Sequence, residues 1–283
     1  MAQVRRVVEV LTAQPTLEGG GVHLRRAFGH EQLPKFDPFL LLDEFRSDNP
    51  EDYREGFPSH PHRGFETITY MLAGSIEHRD VLGNHGVIHA GGVQWMTAGS
   101  GIIHEEMPRG DAGGLLWGLQ LWANLPAAQK MTPPRYQGFD AAEIPEITAN
   151  GARVRIIAGE VNGVRGPVRD VATAPEYLDV SVPPGTPFTH AVPPGHTVFA
   201  LVLDGQGHFA GEDGDPVGEG KVVRYGDGDL VAVATADSPV RFILVSGKPL
   251  NEPVAWRGPV VMNTREELQE AFRELDEGTF IKR

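Results

Sequence analysis

Short apolar runs, separated by clusters of glycine, proline and polar residues, recur along both halves of the chain. Runs of this kind are typical of β-strands, because strands are short and end at turn-forming residues. The predicted strands cover residues 66–72, 91–97 and 115–122 in the first half, and 176–182, 196–207, 228–235 and 241–247 in the second. The pattern therefore predicts an all-β protein with two antiparallel β regions, each a small barrel or sandwich.

A segment that carries prolines lies between the two β regions. Residues 131–150 contain Pro133, Pro134 and Pro145 and show no sustained periodicity, which favours an irregular connection. We therefore predict an N-terminal domain over residues 1–132, a linker over 133–150 and a C-terminal domain over 151–283.

One helix is predicted near the end of the chain, over about residues 264–277. Thr264 is a suitable N-cap, and Glu267 three residues later completes a capping box. The apolar residues that recur at helical spacing are Leu268, Ala271, Phe272 and Leu275. Gly278 ends the pattern. We place this helix in the C-terminal domain, with its apolar stripe packed on a barrel.

Composition narrows the classes of function. The chain has 283 residues, 35 glycines and 23 prolines, which suits two domains built from many short elements. Its formal net charge of −13 disfavours direct binding to nucleic acid or to anionic membranes. No run of 18 apolar residues occurs, so we expect a cytoplasmic protein without a membrane segment. Cysteine is absent, so any metal must be held by nitrogen and oxygen atoms.

Two short motifs carry candidate chemistry: FPSHPHRGFE at residues 57–66 and GIIHEEM at residues 101–107. Side chains alternate between the two faces of a strand, so His60 and His62 point the same way. Proline between them places this strand at an edge, at its start or near a bulge. By the same alternation His104 and Glu106 share a face, whereas Glu105 points away.

If the two motifs are neighbours in one barrel, three imidazoles and one carboxylate meet inside it. Such a set holds a divalent first-row metal and leaves positions open for water, dioxygen or a chelating substrate. Zinc, manganese, cobalt, nickel and copper all accept these ligands, and iron(II) is favoured as the usual metal of oxygen chemistry at such sites. Glu66 would share the face of His60 and His62 if the strand stayed regular, so it is an alternative or additional carboxylate.

Other histidines have a simpler explanation. A lone histidine is more often structural than a ligand, and we assign no chemistry to the isolated histidines His23, His30, His85 and His89. Near the motifs, Phe57, Trp95 and Met96 are apolar, and we expect them to belong to the barrel core rather than to a pocket.

Longer motifs resemble one known family. HPHRGFETITYMLAGSIEHRD (60–80), GGVQWMTAGSGIIHEEMP (91–108), DPFLLLDEF (37–45), GEVNGVRGPV (159–168) and MNTREELQEAF (262–272) are similar to pirins, a branch of the cupin superfamily. The resemblance covers nearly the whole chain. It implies a bicupin, two antiparallel β-barrels of the jelly-roll type with a C-terminal helix.

The resemblance also implies a ligand set. Carried over residue by residue, it puts the metal on His60, His62, His104 and Glu106 and leaves Glu66 nearby. It implies no metal in the second barrel, whose histidines form no His-x-His pair. We expect those histidines to be surface or turn residues; they are His190, His196 and His208.

The activity implied by the resemblance is that of a quercetin 2,3-dioxygenase, which opens the central ring of a flavonol with dioxygen and releases carbon monoxide. The flavonol would chelate the metal through its 3-hydroxyl group, and Glu106 or Glu66 would accept the hydroxyl proton. An alternative is a metal-dependent co-regulator that binds partner proteins without catalysis, in keeping with an acidic surface that favours protein over DNA contacts. A third reading is a closed, structural metal site, although such sites are mostly rich in cysteine.

Overall fold

The computed structural model describes residues 2–210 and 214–282. The chain forms two compact units. The first unit consists of Pro15–Ala142 and the segment from Leu250 onward, and the second consists of the segment before Pro15 and Glu143–Pro249. Both units are built almost entirely from antiparallel strands, as the pattern of apolar runs predicted.

The strands of the first half of the chain are β1 (Val7–Thr12), β2 (Gln14–Glu18), β3 (Val22–Phe28), β4 (Phe39–Ser47), β5 (Phe57–His62), β6 (Phe65–Ala73), β7 (Ser75–Asp80), β8 (His85–His89), β9 (Val93–Thr97), β10 (Ile102–Arg109), β11 (Leu116–Asn124), β12 (Arg135–Phe139) and β13 (Glu146–Ala149). Those that follow are β14 (Ala152–Ala158), β15 (Glu160–Val161), β16 (Val164–Arg165), β17 (Glu176–Val182), β18 (Pro187–Ala191), β19 (Thr197–Gly207), β20 (Val217–Gly218), β21 (Lys221–Tyr225), β22 (Leu230–Ala234), β23 (Val240–Gly247), β24 (Ala255–Arg257) and β25 (Val260–Met262). Helix α1 is Arg265–Asp276, and short 3₁₀ turns occupy His30–Gln32, Pro50–Asp52, Ala127–Gln129 and Ala141–Glu143.

The two units repeat one strand order. In the first unit the large sheet runs β12-β9-β6-β11-β4-β3-β2, and in the second it runs β1-β21-β19-β23-β17-β14-β13. The smaller sheet of the first unit is β5-β10-β7-β8, and β18 pairs with β22 in the second. Strand β1 therefore occupies the same edge position in the second unit as β12 occupies in the first.

The observed units differ from the predicted domain bounds in two places. The segment before Pro15 joins the second unit because β1 pairs with β21. The proposed linker over residues 133–150 carries strand β12, which pairs with β9 of the first unit, and strand β13, which pairs with β14 of the second. The change of unit falls at residues 142 and 143, inside that segment.

Helix α1 forms where the sequence predicted it, but in the other unit. Thr264 caps it, with the reciprocal capping box to Glu267 present. Its apolar stripe packs on the β24–β25 hairpin and on Ile103 of the first unit, together with buried Met262. Burial of this stripe against the first unit explains why the segment after Leu250 leaves the predicted C-terminal domain.

Candidate metal centre

Three histidine side chains meet at the edge of the smaller sheet of the first unit. Strand β5 is the edge strand, and it pairs with β10 so that His60 lies opposite His104 and His62 lies opposite Ile102. Each histidine offers a ring nitrogen within 4.8 Å of those of the other two. The Nε2 atoms of His60 and His62 are 2.9 Å apart. The structure thus brings together the three histidines that strand alternation selected.

The environment of these histidines suits a cation. His62 and His104 are each 2% exposed, whereas His60 is half-buried. Burial lowers the pKa of His62 well below the usual 6.5 and that of His104 to about 3, and neighbouring His60 acts in the same direction on both. Neutral imidazole is the form that binds a metal. Within residues 2–210 and 214–282, neither ring nitrogen of His104 has a hydrogen-bond partner. Convergent, neutral ring nitrogens of this kind fit a divalent metal ion.

Glu106 lies two residues after His104, but its carboxylate has other partners. Thr69 Oγ1 donates a hydrogen bond to Oε1 at 3.4 Å, and Gln120 Nε2 donates to Oε2 at 3.1 Å. The β5–β10 register shifts between His104 and Glu106. Glu106 is 2% exposed and lines the cavity that is described below. It does not belong to the group of side chains, His60, His62 and His104, whose ligand atoms all lie within 4.8 Å of one another. The carboxylate thus lies beside the histidine set, and its place among the metal ligands stays a prediction.

Glu66 is placed differently. The expectation that it shares a face with His60 and His62 needed a regular strand, and Gly64, with φ of +87°, interrupts that strand between β5 and β6. The Glu66 carboxylate accepts a hydrogen bond from Thr97 Oγ1 at 2.7 Å. Burial raises the pKa of Glu66, opposed by this hydrogen bond. Its side chain is not one of those that line the main cavity.

One histidine departs from the sequence-based expectation, and another lies beside the cavity. His30 lines the cavity, and its ring centroid lies 5.4 Å from that of Trp256. His190, expected at the surface or in a turn, is 8% exposed, with Nε2 3.4 Å from a carboxylate oxygen of Glu176. The reason is alternation on β18, which buries His190 together with Phe188. His196 and His208 are half-buried, whereas the remaining lone histidines, His23, His85 and His89, are exposed.

The turn after His62 is tied to the C-terminal segment through Arg63. Arg63 is 2% exposed, and its guanidinium donates to the carbonyl oxygens of Ser100 and Phe280, each at 2.7 Å. It also forms an ion pair with Glu274 of helix α1 at 2.8 Å and lies 4.1 Å from the ring centroid of Phe280. Ser100 precedes the strand that carries His104, so one arginine fixes both histidine-bearing segments.

A buried lysine fastens the same turn from another side. Lys130 is 1% exposed, and its ammonium group donates to the carbonyl oxygen of Gly64 at 2.8 Å, to Oδ1 of Asn124 at 2.7 Å and to the carbonyl oxygen of Val261 at 3.0 Å. All three donors of the ammonium group are therefore used. The turn beside His62 is held by the barrel on one side and by the β24–β25 hairpin on the other.

His60 and His62 line a cavity of about 620 Å³. This volume lies in the range of small-molecule sites. Its apolar lining includes Leu41, Phe57, Trp122 and Trp256. Its polar lining beyond the metal site includes Glu18, Arg26, Asp43 and Gln120. Phe57 packs against a core cluster, as expected, and also lines the cavity, whereas Trp95 and Met96 are fully buried and do not line it.

Aromatic rings follow one another from the histidines into the cavity. The ring centroid of His62 is 5.3 Å from that of Trp122, and the centroid of Trp122 is 5.8 Å from that of Trp256. His30 continues the row beyond Trp256. Sequence reasoning missed Gln120, Trp122 and Trp256, although the alternating GLQLW run (118–122) already placed Gln120 and Trp122 on one strand face.

Two β units repeat one strand order, and the first contains a histidine cluster that could hold a metal, which together define a bicupin. Residues 21–123 match the pirin family and residues 177–281 match the pirin C-terminal cupin domain. The chain therefore belongs to the pirin family, as the sequence motifs indicated.

Individual relatives match over almost their whole length. A pirin-like protein of Caulobacter vibrioides is 44% identical, with 98% of this chain and 99% of the relative covered. Pirin of Homo sapiens is 40% identical, with 96% and 92% covered. The crystal structure of quercetin 2,3-dioxygenase from Acinetobacter baumannii superimposes with a TM-score of 0.89 at 33% identity, covering 98% of both chains. In the part of the chain that the structure describes, no helix has the length and apolar character needed to cross a membrane.

Proposed function

We propose that this protein is a metal-dependent dioxygenase that opens the central ring of quercetin or a similar flavonol with O2 and releases carbon monoxide. The observation that carries the proposal is the three-histidine cluster beside a cavity with aromatic lining, which His60 and His62 reach directly. A likeness to a quercetin 2,3-dioxygenase of known structure supports it. Both features suit a planar aromatic substrate that reaches the metal with one edge.

The proposed cofactor is one divalent metal ion, with iron(II) as the first candidate and zinc, manganese, cobalt, nickel or copper as alternatives. His60, His62 and His104 would hold it through their convergent ring nitrogens. Glu106 is the carried-over fourth ligand. When bound, such an ion lowers the pKa of a hydroxyl group that coordinates to it.

Glu106 is the carboxylate best placed to take the substrate's hydroxyl proton. It lines the cavity, and the hydrogen bonds that reach its oxygens come from the neutral donors Thr69 and Gln120. A general base must come within hydrogen-bond reach of the proton that it removes. Glu66, the other candidate base, hydrogen-bonds Thr97 away from the lining of the cavity. We therefore assign the proton transfer to Glu106.

The rest of the cavity would orient the substrate. Trp122 and Trp256 offer ring faces beside the histidines, and stacking on such faces favours planar aromatic molecules. Arg26 is already paired with Asp43, with Nε to Oδ1 at 2.9 Å and a second bond to Oδ2 at 2.8 Å. Glu18 and Asp43, the two carboxylates paired with Arg26, both line the cavity, where hydroxyl groups of a flavonol are suitable hydrogen-bond donors.

The deciding experiment measures carbon monoxide released from quercetin in air. Protein loaded separately with iron, manganese, cobalt and nickel is compared with the His62→Ala variant, and Glu105→Ala serves as a control from the same motif. We expect metal-dependent release that disappears in His62→Ala and persists in Glu105→Ala. No release with any fully loaded metal would contradict the proposal and would favour the alternative, a metal-dependent regulator that binds partner proteins.

A further inference from the structure

An arginine in the wall of the cavity is paired with two carboxylates. Arg26, Glu18 and Asp43 all line the cavity. Arg26 Nε donates to Asp43 Oδ1 at 2.9 Å, and Nη2 of the same guanidinium donates to Oδ2 at 2.8 Å. Nη2 also lies 2.9 Å from Oε1 of Glu18. Asp43 therefore occupies one fork of the guanidinium, and Glu18 pairs with the same terminal nitrogen.

Strand geometry accounts for this arrangement and supplies a matched pair elsewhere. Arg26 on β3 lies opposite Asp43 on β4, and the neighbouring pair in the register is Arg25 opposite Glu44. Side chains alternate between the two faces of a strand, so the two pairs point to opposite faces of the sheet. Arg25 Nη2 donates to Glu44 at 2.8 Å, but neither residue belongs to the described lining of the cavity. The same two strands thus carry one arginine–carboxylate pair inside the cavity and one outside it.

The pairing inside the cavity decides how its wall meets a charged ligand. Here two carboxylates face one guanidinium, which keeps its proton in proteins. Asp43 is 6% exposed, so solvent screens its charge poorly. Burial raises the pKa of the Asp43 carboxyl, and the hydrogen bonds from Arg26 oppose that rise. A hydroxyl group of a ligand can donate to these carboxylates, whereas a ligand carboxylate would meet like charge and an arginine that is already paired.

We propose that Asp43, assisted by Glu18, masks Arg26 and makes the cavity select neutral hydroxylated aromatic molecules over those that carry a carboxylate. These residues lie outside the three-histidine cluster. The inference rests on the proposed function and narrows its substrate class, because flavonols with free hydroxyl groups are accepted and carboxylated analogues are rejected. Removing the Asp43 charge should release Arg26 to form, with a ligand carboxylate, the bidentate pair that it now forms with Asp43.

The test measures equilibrium binding of two flavonols to the Zn2+-loaded protein at pH 7. The probes are 3,4′-dihydroxyflavone and 3-hydroxyflavone-4′-carboxylate, which differ only in the group at one end of the molecule. Both share the 3-hydroxyl and 4-carbonyl edge, so attraction to the metal is common to them. We expect the wild-type protein to bind the hydroxyl probe at least about tenfold more tightly than the carboxylate probe. In Asp43→Asn the carboxylate probe should gain roughly ten- to hundredfold in affinity, and the hydroxyl probe should gain nothing.

Three further variants show whether the effect passes through Arg26. Glu44→Gln breaks the matched pair outside the cavity and should leave the ratio of the two affinities unchanged. Glu18→Gln changes a side chain that is 44% exposed, so it should fold normally and shift the ratio in the same direction as Asp43→Asn, by only about two- to fivefold. Adding Arg26→Gln to Asp43→Asn should cancel the gain of the carboxylate probe. If Asp43→Asn does not fold, Glu18→Gln decides.

The ratio of the two affinities decides the inference. Equal binding of both probes by the wild-type protein, or an unchanged ratio in Asp43→Asn and Glu18→Gln, would overturn it. An equal gain of the carboxylate probe in Glu44→Gln would also overturn it, because the effect would then not depend on the cavity. Turnover tests the proposed function separately. If the wild-type protein releases no carbon monoxide from quercetin while the ratios shift as expected, the dioxygenase proposal fails and the masking of Arg26 stands.

Discussion

Replacing Arg63 by methionine tests how the C-terminal segment supports the metal centre. Arg63 directly follows His62 and is 2% exposed. Its guanidinium holds the carbonyl oxygens of Ser100 and Phe280 and pairs with Glu274. Methionine keeps most of the aliphatic stem and removes all of these contacts.

The expected loss of stability follows from the groups left behind. Removing one partner of a buried ion pair typically costs about 3–5 kcal/mol, because the remaining charge stays desolvated. Here Glu274 is 14% exposed and keeps an ion pair with Lys282, which reduces its share of the loss, but two buried carbonyl oxygens also lose their donor. We expect a loss of about 3–4 kcal/mol, which lowers the melting temperature of a unit of this size by roughly 6–16 °C.

The assay is thermal unfolding, with and without bound metal, followed by the metal content of the folded protein. Arg273→Met is the matched control, since Arg273 lies on the same helix and its ion pair with Glu270 is exposed. We expect Arg63→Met to melt at lower temperature and to hold metal less tightly, and Arg273→Met to resemble the wild type. Equal melting temperatures of the two variants would refute the view that Arg63 clamps the site.

Three further tests, two of them with a matched control substitution, concern particular residues. Burial holds the pKa of Glu66 above its usual 4.5, so the folded protein binds this proton more tightly than the unfolded chain does. The resulting contribution to stability is present at low pH and is lost as the pH rises through the folded pKa. Glu66→Gln should therefore raise the melting temperature at pH 8 relative to wild type and retain full metal content, and a loss of metal would instead make Glu66 a ligand. Gly64→Ala should destabilise by more than about 3 kcal/mol, because its Cβ would lie 1.9 Å from a backbone oxygen of the C-terminal hairpin at a φ of +87°. Gly83→Ala, with φ of +94° and no atom within 4 Å, should cost only about 1 kcal/mol, and similar losses in the two would contradict the steric argument. By metal analysis, His62→Ala should lose bound metal and Glu105→Ala should keep it; the reverse result would refute the assignment of strand faces.

Periodicity was sufficient for the features that depend on neighbouring residues in the sequence. It predicted the strands around residues 66–72 and 241–247 and the capped helix, because each depends on local alternation or local capping. It also predicted that His60 and His62 face the same way. Whether β5 and β10 pair is a long-range property, and here the resemblance to pirins supplied what periodicity alone left conditional.

Features set by distant contacts were not readable from the sequence. The helix was placed in the wrong domain because its apolar stripe gives no sign of which barrel it covers. The prediction that His62 and Glu66 share one strand face was wrong because Gly64 adopts a left-handed backbone conformation. Such a residue interrupts the regular strand on which the alternation of side chains depends. Gln120 and Trp122 were overlooked because they line a cavity whose walls come from strands that are distant in the sequence.

The discontinuous make-up of the first unit has a consequence for biosynthesis. Residues 15–142 leave the ribosome well before the segment from Leu250 onward, and the whole of Glu143–Pro249 is made in between. Until that late segment arrives, Arg63 lacks Glu274 and Phe280, and Lys130 lacks the carbonyl oxygen of Val261. The contacts that hold the turn beside His62 are therefore completed late in synthesis, and a ribosome stalled within Glu143–Pro249 would carry a chain that still lacks them.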